Sequence, residues 1–204
     1  TLKQQYGFQS LAEFNTLLER YGVAAEEIRG DVQGRPYRGF VYHVLDDDGQ
    51  RTGAAVKASR LGDFFGWKAL EEKFDASKQR LRQHPKTLDR TRREIDRARS
   101  GGRNRKEFTT ELRENGIDAV FRENDAGRIY GVTFIDRTTH QVFNGSWLGK
   151  EYAADAFEAW FNGREQESST PMPEELRPLP PLEPPLPGLS SVEEFEEYIE
   201  THYV

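Results

Sequence analysis

Gly127–Phe161 reads GRIYGVTFIDRTTHQVFNGSWLGKEYAADAFEAWF, and its periodicity changes along the way. Ile129, Gly131, Thr133 and Ile135 alternate with Tyr130, Val132 and Phe134. A period of two, rich in β-branched and aromatic residues, belongs to a strand, because successive side chains point to opposite faces of a sheet. Polar Asp136–His140 supplies a turn and Gln141–Phe143 the returning strand. Phe157, Trp160 and Phe161 then recur at i, i+3 and i+4, the spacing of one helical face. Between them, Ser146-Trp147-Leu148-Gly149 reads as a tight strand-to-helix junction, with Gly149 supplying backbone angles closed to other residues.

The same succession occurs earlier in the chain. Ser10 with Glu13 forms a capping box before a helical face of Leu11, Phe14, Leu17, Leu18 and Tyr21, which Gly22 ends. Val23–Arg29 predicts a strand, Gln33–Pro36 a turn, and Tyr37–Leu45 the next strand. Asp46-Asp47-Asp48-Gly49 is a turn, Arg51–Lys57 a third strand, and Ser59–Gly62 a junction before a helix with Trp67, Leu70 and Phe74. Asn104 with Glu107, Phe108, Leu112, Gly116, Gly131 and Leu148-Gly149 repeat Ser10, Glu13, Phe14, Leu18, Gly22, Gly39 and Leu61-Gly62 at offsets shortening from 94 to 92 to 87. The expected class is α+β: two repeated helix–strand–hairpin–helix units on small antiparallel sheets, joined by basic helices. The expected divisions are 1–75, a connector at 76–103, a second unit at 104–163, a Pro-rich disordered linker at 164–189 and an acidic helix at 190–204. That last helix either folds back or binds a partner. Thr1–Phe8 is read as a lead-in.

The 204 residues are 35% hydrophobic and 31% charged, polar for a single core, yet 13 Phe, 8 Tyr and 3 Trp give bulk for two small ones. No run is long and apolar enough to span a membrane, and no secretory signal is visible. The absence of Cys excludes disulfides and thiolate metal sites and fits a reducing cytoplasm. A chain opening on Thr1, with Met172 as its one Met, is expected to be a piece of a longer protein.

The net charge of −6 conceals an asymmetry. Twelve cations (Lys78, Arg80, Arg82, Lys86, Arg90, Arg92, Arg93, Arg97, Arg99, Arg103, Arg105 and Lys106) face only Asp89, Glu94 and Asp96, leaving +9 in this segment and −15 in the rest. Pro85 divides it into two helices. Cations at this density can neutralise a nucleic-acid backbone, with Arg90, Arg93, Arg97 and Asn104 or Arg105 on one face. They can equally form a solvated face paired within the molecule. Trp147 and Lys150 complete the candidate nucleic-acid contacts. Trp67, Trp147, Tyr37 and Tyr130 are able to stack on unpaired bases, although Tyr130 and Trp160 are expected in the core.

Catalytic constellations are not found. His43, His84, His140 and His202 form no metal-binding spacing. Asp46-Asp47-Asp48-Gly49 lacks the later bidentate Glu of a calcium loop. Phosphate loops and nucleophile elbows are missing too. No metal, cofactor or catalytic residue is therefore expected in this chain.

Val120–Asn124, Gly127–Asp136 and Val142-Phe143-Asn144-Gly145-Ser146-x-Leu148-Gly149-Lys150-Glu151-Tyr152 resemble the region after the nuclease domain in relaxases, the mobilisation nucleases of bacterial conjugative and mobilisable elements. Phe8-Gln9-Ser10, Tyr37-x-Gly39 and Ser59-x-Leu61-Gly62 extend the resemblance, over residues 5–163. Relaxases nick one strand at an origin of transfer with a Tyr nucleophile and a His-clustered metal. No residue here matches that cluster, so neither ligands nor nucleophile carry over. The resemblance implies a non-catalytic, cytoplasmic accessory region that binds origin-type DNA. The alternative is a module that recruits mobilisation accessory proteins.

Overall fold

The computed structural model describes residues 2–101 and 104–169, and within the helix and strand it leaves aside the side chains of 164–169 and 32. The expected linker beyond Ser169 and the expected C-terminal helix lie outside the described residues. Helices α1 (Leu2–Gln5) and α2 (Leu11–Glu19) lead into strands β1 (Val23–Val32), β2 (Arg35–Leu45) and β3 (Arg51–Lys57). Then come a short α3 (Ala58–Leu61), a 3-10 turn (Asp63–Phe65) and α4 (Trp67–Gln83). After α5 (Thr87–Gly101) the order is α6 (Arg105–Glu114), β4 (Ile117–Glu123), β5 (Ile129–Asp136), β6 (Gln141–Asn144), α7 (Gly145–Leu148), a 3-10 turn (Lys150–Tyr152) and α8 (Ala154–Ser169). Both sheets are antiparallel and three-stranded, ordered β1-β2-β3 and β4-β5-β6. The molecule is thus mixed α and β, and Thr1–Ser168 makes one compact unit.

Local chemistry sets the element ends. Ser10 and Asn104 each accept an N–H from the residue three positions on, Glu13 and Glu107. Gln33 and Gly34 both carry positive φ (56° and 76°), so the β1–β2 hairpin turns on these two residues alone. Arg35 and Pro36, expected in the turn, belong to β2 as a result. Gly62 and Gly149, with φ of 103° and 143°, each join a short helix to a 3-10 turn. Helix α8 runs past Asn162 and Gly163 to Ser169, further than the expected unit boundary.

The second sheet is packed on both faces. Phe121, Val132, Phe134 and Phe143 face the side occupied by Phe108 of α6 and by Phe157 and Phe161 of α8. Phe157 lies at the centre, with ring centroids 5.4 Å from Phe108, 5.4 Å from Phe121 and 5.7 Å from Phe134. Fully burying each such ring contributes about 1.5–3 kcal/mol. On the other face Val120, Ile135 and Val142 join Phe8, Phe14 and Leu17. That second layer explains why β5 is apolar in both phases of its alternation. The segment expected as a plain lead-in belongs to this layer: Gly7 pairs in parallel with Gln141, its N–H donating to His140 and its C=O accepting from Val142.

Helix α2 serves both sheets. Its Asn15 side chain bonds the N–H and C=O of Ala25 on the outer edge of β1, at 2.7 and 2.8 Å. Towards β4, Arg20 reaches buried Asp118 at 2.9 Å and Glu19 holds Arg122 at 2.9 Å. Arg113 and Arg137 stand 3.6 and 3.5 Å from the same Asp118.

One aromatic expectation is corrected. Tyr130 is 62% exposed rather than part of the core. Arg122 pairs with Gly131 and Glu123 with Ile129, so Tyr130 is the extra residue of a β-bulge and is displaced into solvent. Trp160 packs against the core as expected.

Candidate nucleic-acid interface

Helices α4 and α5 carry most of the basic segment and are separated at Pro85: α4 ends at Gln83 and α5 begins at Thr87, with Lys86 in the turn between them and Arg105 and Lys106 at the start of α6. Helix α5 buries Leu88, Thr91, Ile95 and Ala98, a stripe at helical spacing. At 100° per residue, Arg93 and Arg97 fall on the opposite side, while Arg90, Arg92 and Arg99 flank the stripe. That placement divides the cations into two groups.

The flanking arginines are committed inward. Arg90 donates to Asp136 Oδ2 at 2.6 Å and to the Asn115 carbonyl at 2.9 Å. Asp136 is fully buried and also accepts from Thr91 Oγ1 and from the N–H groups of Thr138 and Thr139. Arg92 donates through Nε to the Leu148 carbonyl at 2.7 Å. The Arg99 guanidinium lies 4.2 Å from the Phe157 ring centroid, and burial draws its pKa below the ordinary value. Asp96 accepts from the Tyr152 hydroxyl at 3.0 Å, and burial foremost, with this bond, pushes the phenol up to about 12. Arg105, at the start of α6, pairs with Glu123 and lies 4.7 Å from the Phe121 centroid. The expected face of Arg90, Arg93, Arg97 and either Asn104 or Arg105 is therefore not formed: Arg90 and Arg105 satisfy acids on the second sheet, and Asn104 caps α6.

The outward group is smaller. Arg80, Arg82, Lys86, Arg93, Arg97 and Lys106 are exposed. Arg97 pairs with Glu94 at 3.3 Å, and partly exposed Lys78 with Asp75 at 3.4 Å. Among the described residues the other five have no acid within ion-pair distance. Arg103 lies outside the described residues. Lys150 is exposed on the 3-10 turn, whereas Trp147 is half-buried against the core, leaving less of its ring for stacking. A recess of about 680 Å³ includes Arg97 and Lys106, but Glu107, Glu111 and Glu114 line it too. The acids outnumber the cations there, so the recess itself is no seat for phosphate.

The remaining titratable groups support structure. His43 Nε2 meets Glu26 at 3.0 Å, and Arg51 reaches the same carboxylate at 2.6 Å. His140 is an exposed turn residue whose ring meets Tyr6 edge-on. Asp46 Oδ1 accepts the N–H groups of Asp48 and Gln50, closing the β2–β3 turn. No cluster of three or more metal-ligating side chains occurs among the described residues. Nor is any of their helices long and apolar enough to cross a membrane.

Sequence reasoning passed over Lys57 and Lys68, which line a groove on the first sheet. Neither belongs to a charge run, so composition carries no signal for them. Compared with known protein families, with curated proteins and with solved structures, the chain matches none.

Proposed function

We propose that this chain is a non-catalytic, DNA-binding accessory region of a relaxase acting in conjugative mobilisation. The observation that carries the reading is the division of the basic segment. Arg80, Arg82, Lys86, Arg93 and Lys106 remain exposed and unpaired among the described residues, on α4, the turn after it, α5 and the start of α6, with α5 fastened to the second sheet and to α7 by Arg90 and Arg92. Exposed cations on a rigid support bind phosphates by releasing counterions, with no need of base contacts. Five such contacts give a slope of log K against log salt of about −4.

The shared order of elements, α2-β1-β2-β3-α3-α4 and α6-β4-β5-β6-α7-α8, supports descent of the two halves from one duplicated unit. The bacterial cytoplasm is the compartment this function requires. Anisotropy of labelled single- and double-stranded oligonucleotides across a salt series tests the reading. Salt-sensitive binding is expected; no binding at low salt overturns it. A second reading, recruitment of mobilisation accessory proteins, draws on the Arg35–Phe40 part of β2, which among the described residues pairs with β1 and not with β3.

A further inference from the structure

The first sheet leaves part of a central strand unpaired. Strand β3 pairs with β2 only between Val41 and Leu45, so among the described residues Arg35–Phe40 has a partner on the β1 side alone. The direction of the main-chain groups follows from two bonds. Ala25 gives both its N–H and its C=O to Asn15, away from β2, so the Ala25–Tyr42 pair is a non-hydrogen-bonded one. Leu45, of opposite parity, donates to Gly22 on the β1 side. With a period of two, Tyr42, Phe40 and Arg38 turn their main-chain groups away from β1, and Arg38 lies beyond the reach of β3.

That edge opens into a groove of about 960 Å³, walled opposite by the α3–α4 corner. Its floor is aromatic: Phe40 and Trp67 have ring centroids 5.1 Å apart, and the Arg38 guanidinium lies 3.1 Å from the Trp67 centroid. Tyr37 stands at the rim, 47% exposed. Lys57 and Lys68 line the groove, exposed, with no acid at ion-pair distance among the described residues.

We infer that this groove takes an extended peptide segment of a partner protein, added as a strand to Arg35–Phe40. Its main chain pairs with Arg38, its apolar side chains rest on the half-buried Trp67 ring, which the buried Phe40 supports from beneath, and its acidic side chains meet Lys57 and Lys68. A nucleic-acid strand fits less well. Arg38 already neutralises Glu27 and covers one face of Trp67, and a strand with a phosphate at every nucleotide also brings charge against Asp63 and Glu72, whereas a peptide carries acids only where the lysines stand. An unpaired strand edge is complementary to another peptide backbone. This inference is independent of the DNA reading.

The test is selection of displayed random nonapeptides on the intact chain and, in parallel, on Ser59→Trp, which fills the groove from an exposed position. Enrichment of sequences alternating apolar residues with Asp or Glu is expected on the parent only. The synthetic consensus is then expected to lose at least tenfold in affinity when alternate amides are N-methylated, and about fivefold against Lys57→Glu/Lys68→Glu. No enrichment over Ser59→Trp overturns the inference, as does a consensus indifferent to N-methylation. Displacement of the consensus by oligothymidylate assigns the groove to single strands instead. Concentration-dependent dimerisation abolished by Ser59→Trp assigns it to a second copy of the chain. Both outcomes contradict the proposal.

Discussion

Glu13 Oε1, at the head of α2, accepts the main-chain N–H of Asn144 at 2.9 Å, 131 residues along the chain. The other carboxylate oxygen accepts the N–H of Gln9. With its amide turned to match its surroundings, the Gln9 side chain donates to Glu13 Oε2 and to the Val142 carbonyl. One fully buried carboxyl group therefore caps its own helix and fastens that helix to the end of β6.

Burial pushes the Glu13 carboxyl up to about 7, against the downward pull of its main-chain donors. A pKa raised in the folded state means that the native protein holds a proton which the unfolded chain has already released. The Glu13 contribution to stability is full below about pH 4.5 and fades as pH rises through about 7, by roughly 3 kcal/mol in all. Denaturant unfolding at several pH values between 5 and 8 checks this. Glu13→Gln is expected to flatten the dependence and to cost about 1–3 kcal/mol, since its NH₂ must face a main-chain donor.

Arg90→Gln strands the fully buried Asp136 carboxylate without its cation. A loss of about 3–5 kcal/mol is expected. Binding of DNA per folded molecule should stay within twofold of the parent, because Arg90 does not face solvent with Arg93. Thermal melting and anisotropy on the same sample separate the two effects.

Arg99→Met replaces a half-buried guanidinium, whose Nε finds no partner among the described residues, by an apolar chain of similar length. The substitution should be neutral to within about 1 kcal/mol, because removing a desolvated charge offsets the lost cation–π contact. DNA affinity is expected to be unchanged. A tenfold fall in affinity with an unaltered melting temperature places Arg99 in the interface and contradicts its inward assignment.

Gly145 opens α7, where a Cβ would collide with the Tyr152 carbonyl oxygen and meet Val132 Cγ1 at 2.6 Å. Gly163 has open space around it. Gly145→Ala is expected to destabilise by about 3 kcal/mol or more, and Gly163→Ala to change stability by less than about 1 kcal/mol. Equal melting temperatures for the two variants would overturn the packing described for this junction.

Where local chemistry decides, the sequence is legible. Caps at Ser10 and Asn104, left-handed glycines at Gly62 and Gly149, and the break at Pro85 fall where residue type alone places them. What it did not disclose depends on distant partners. Tyr130 looks like a core aromatic until the bulge opposite Glu123 displaces it. The arginines of α5 are chemically alike, and only Asp136, Leu148 and Phe157, folded beside them, select which ones turn inward. The groove beside β2 stays hidden because it depends on where β3 stops pairing.

The central claim is that the outward cations bind DNA while the inward ones hold the scaffold. Its most direct test is fluorescence anisotropy of a labelled duplex and its single strand, over roughly 50–300 mM salt, with Arg80, Arg82, Lys86, Arg93 and Lys106 all changed to Gln. The parent is expected to bind with a slope of about −4, and the variant to lose at least a hundredfold in affinity and nearly all of that slope, with its melting temperature unchanged. Equal affinity and slope in parent and variant would contradict the account.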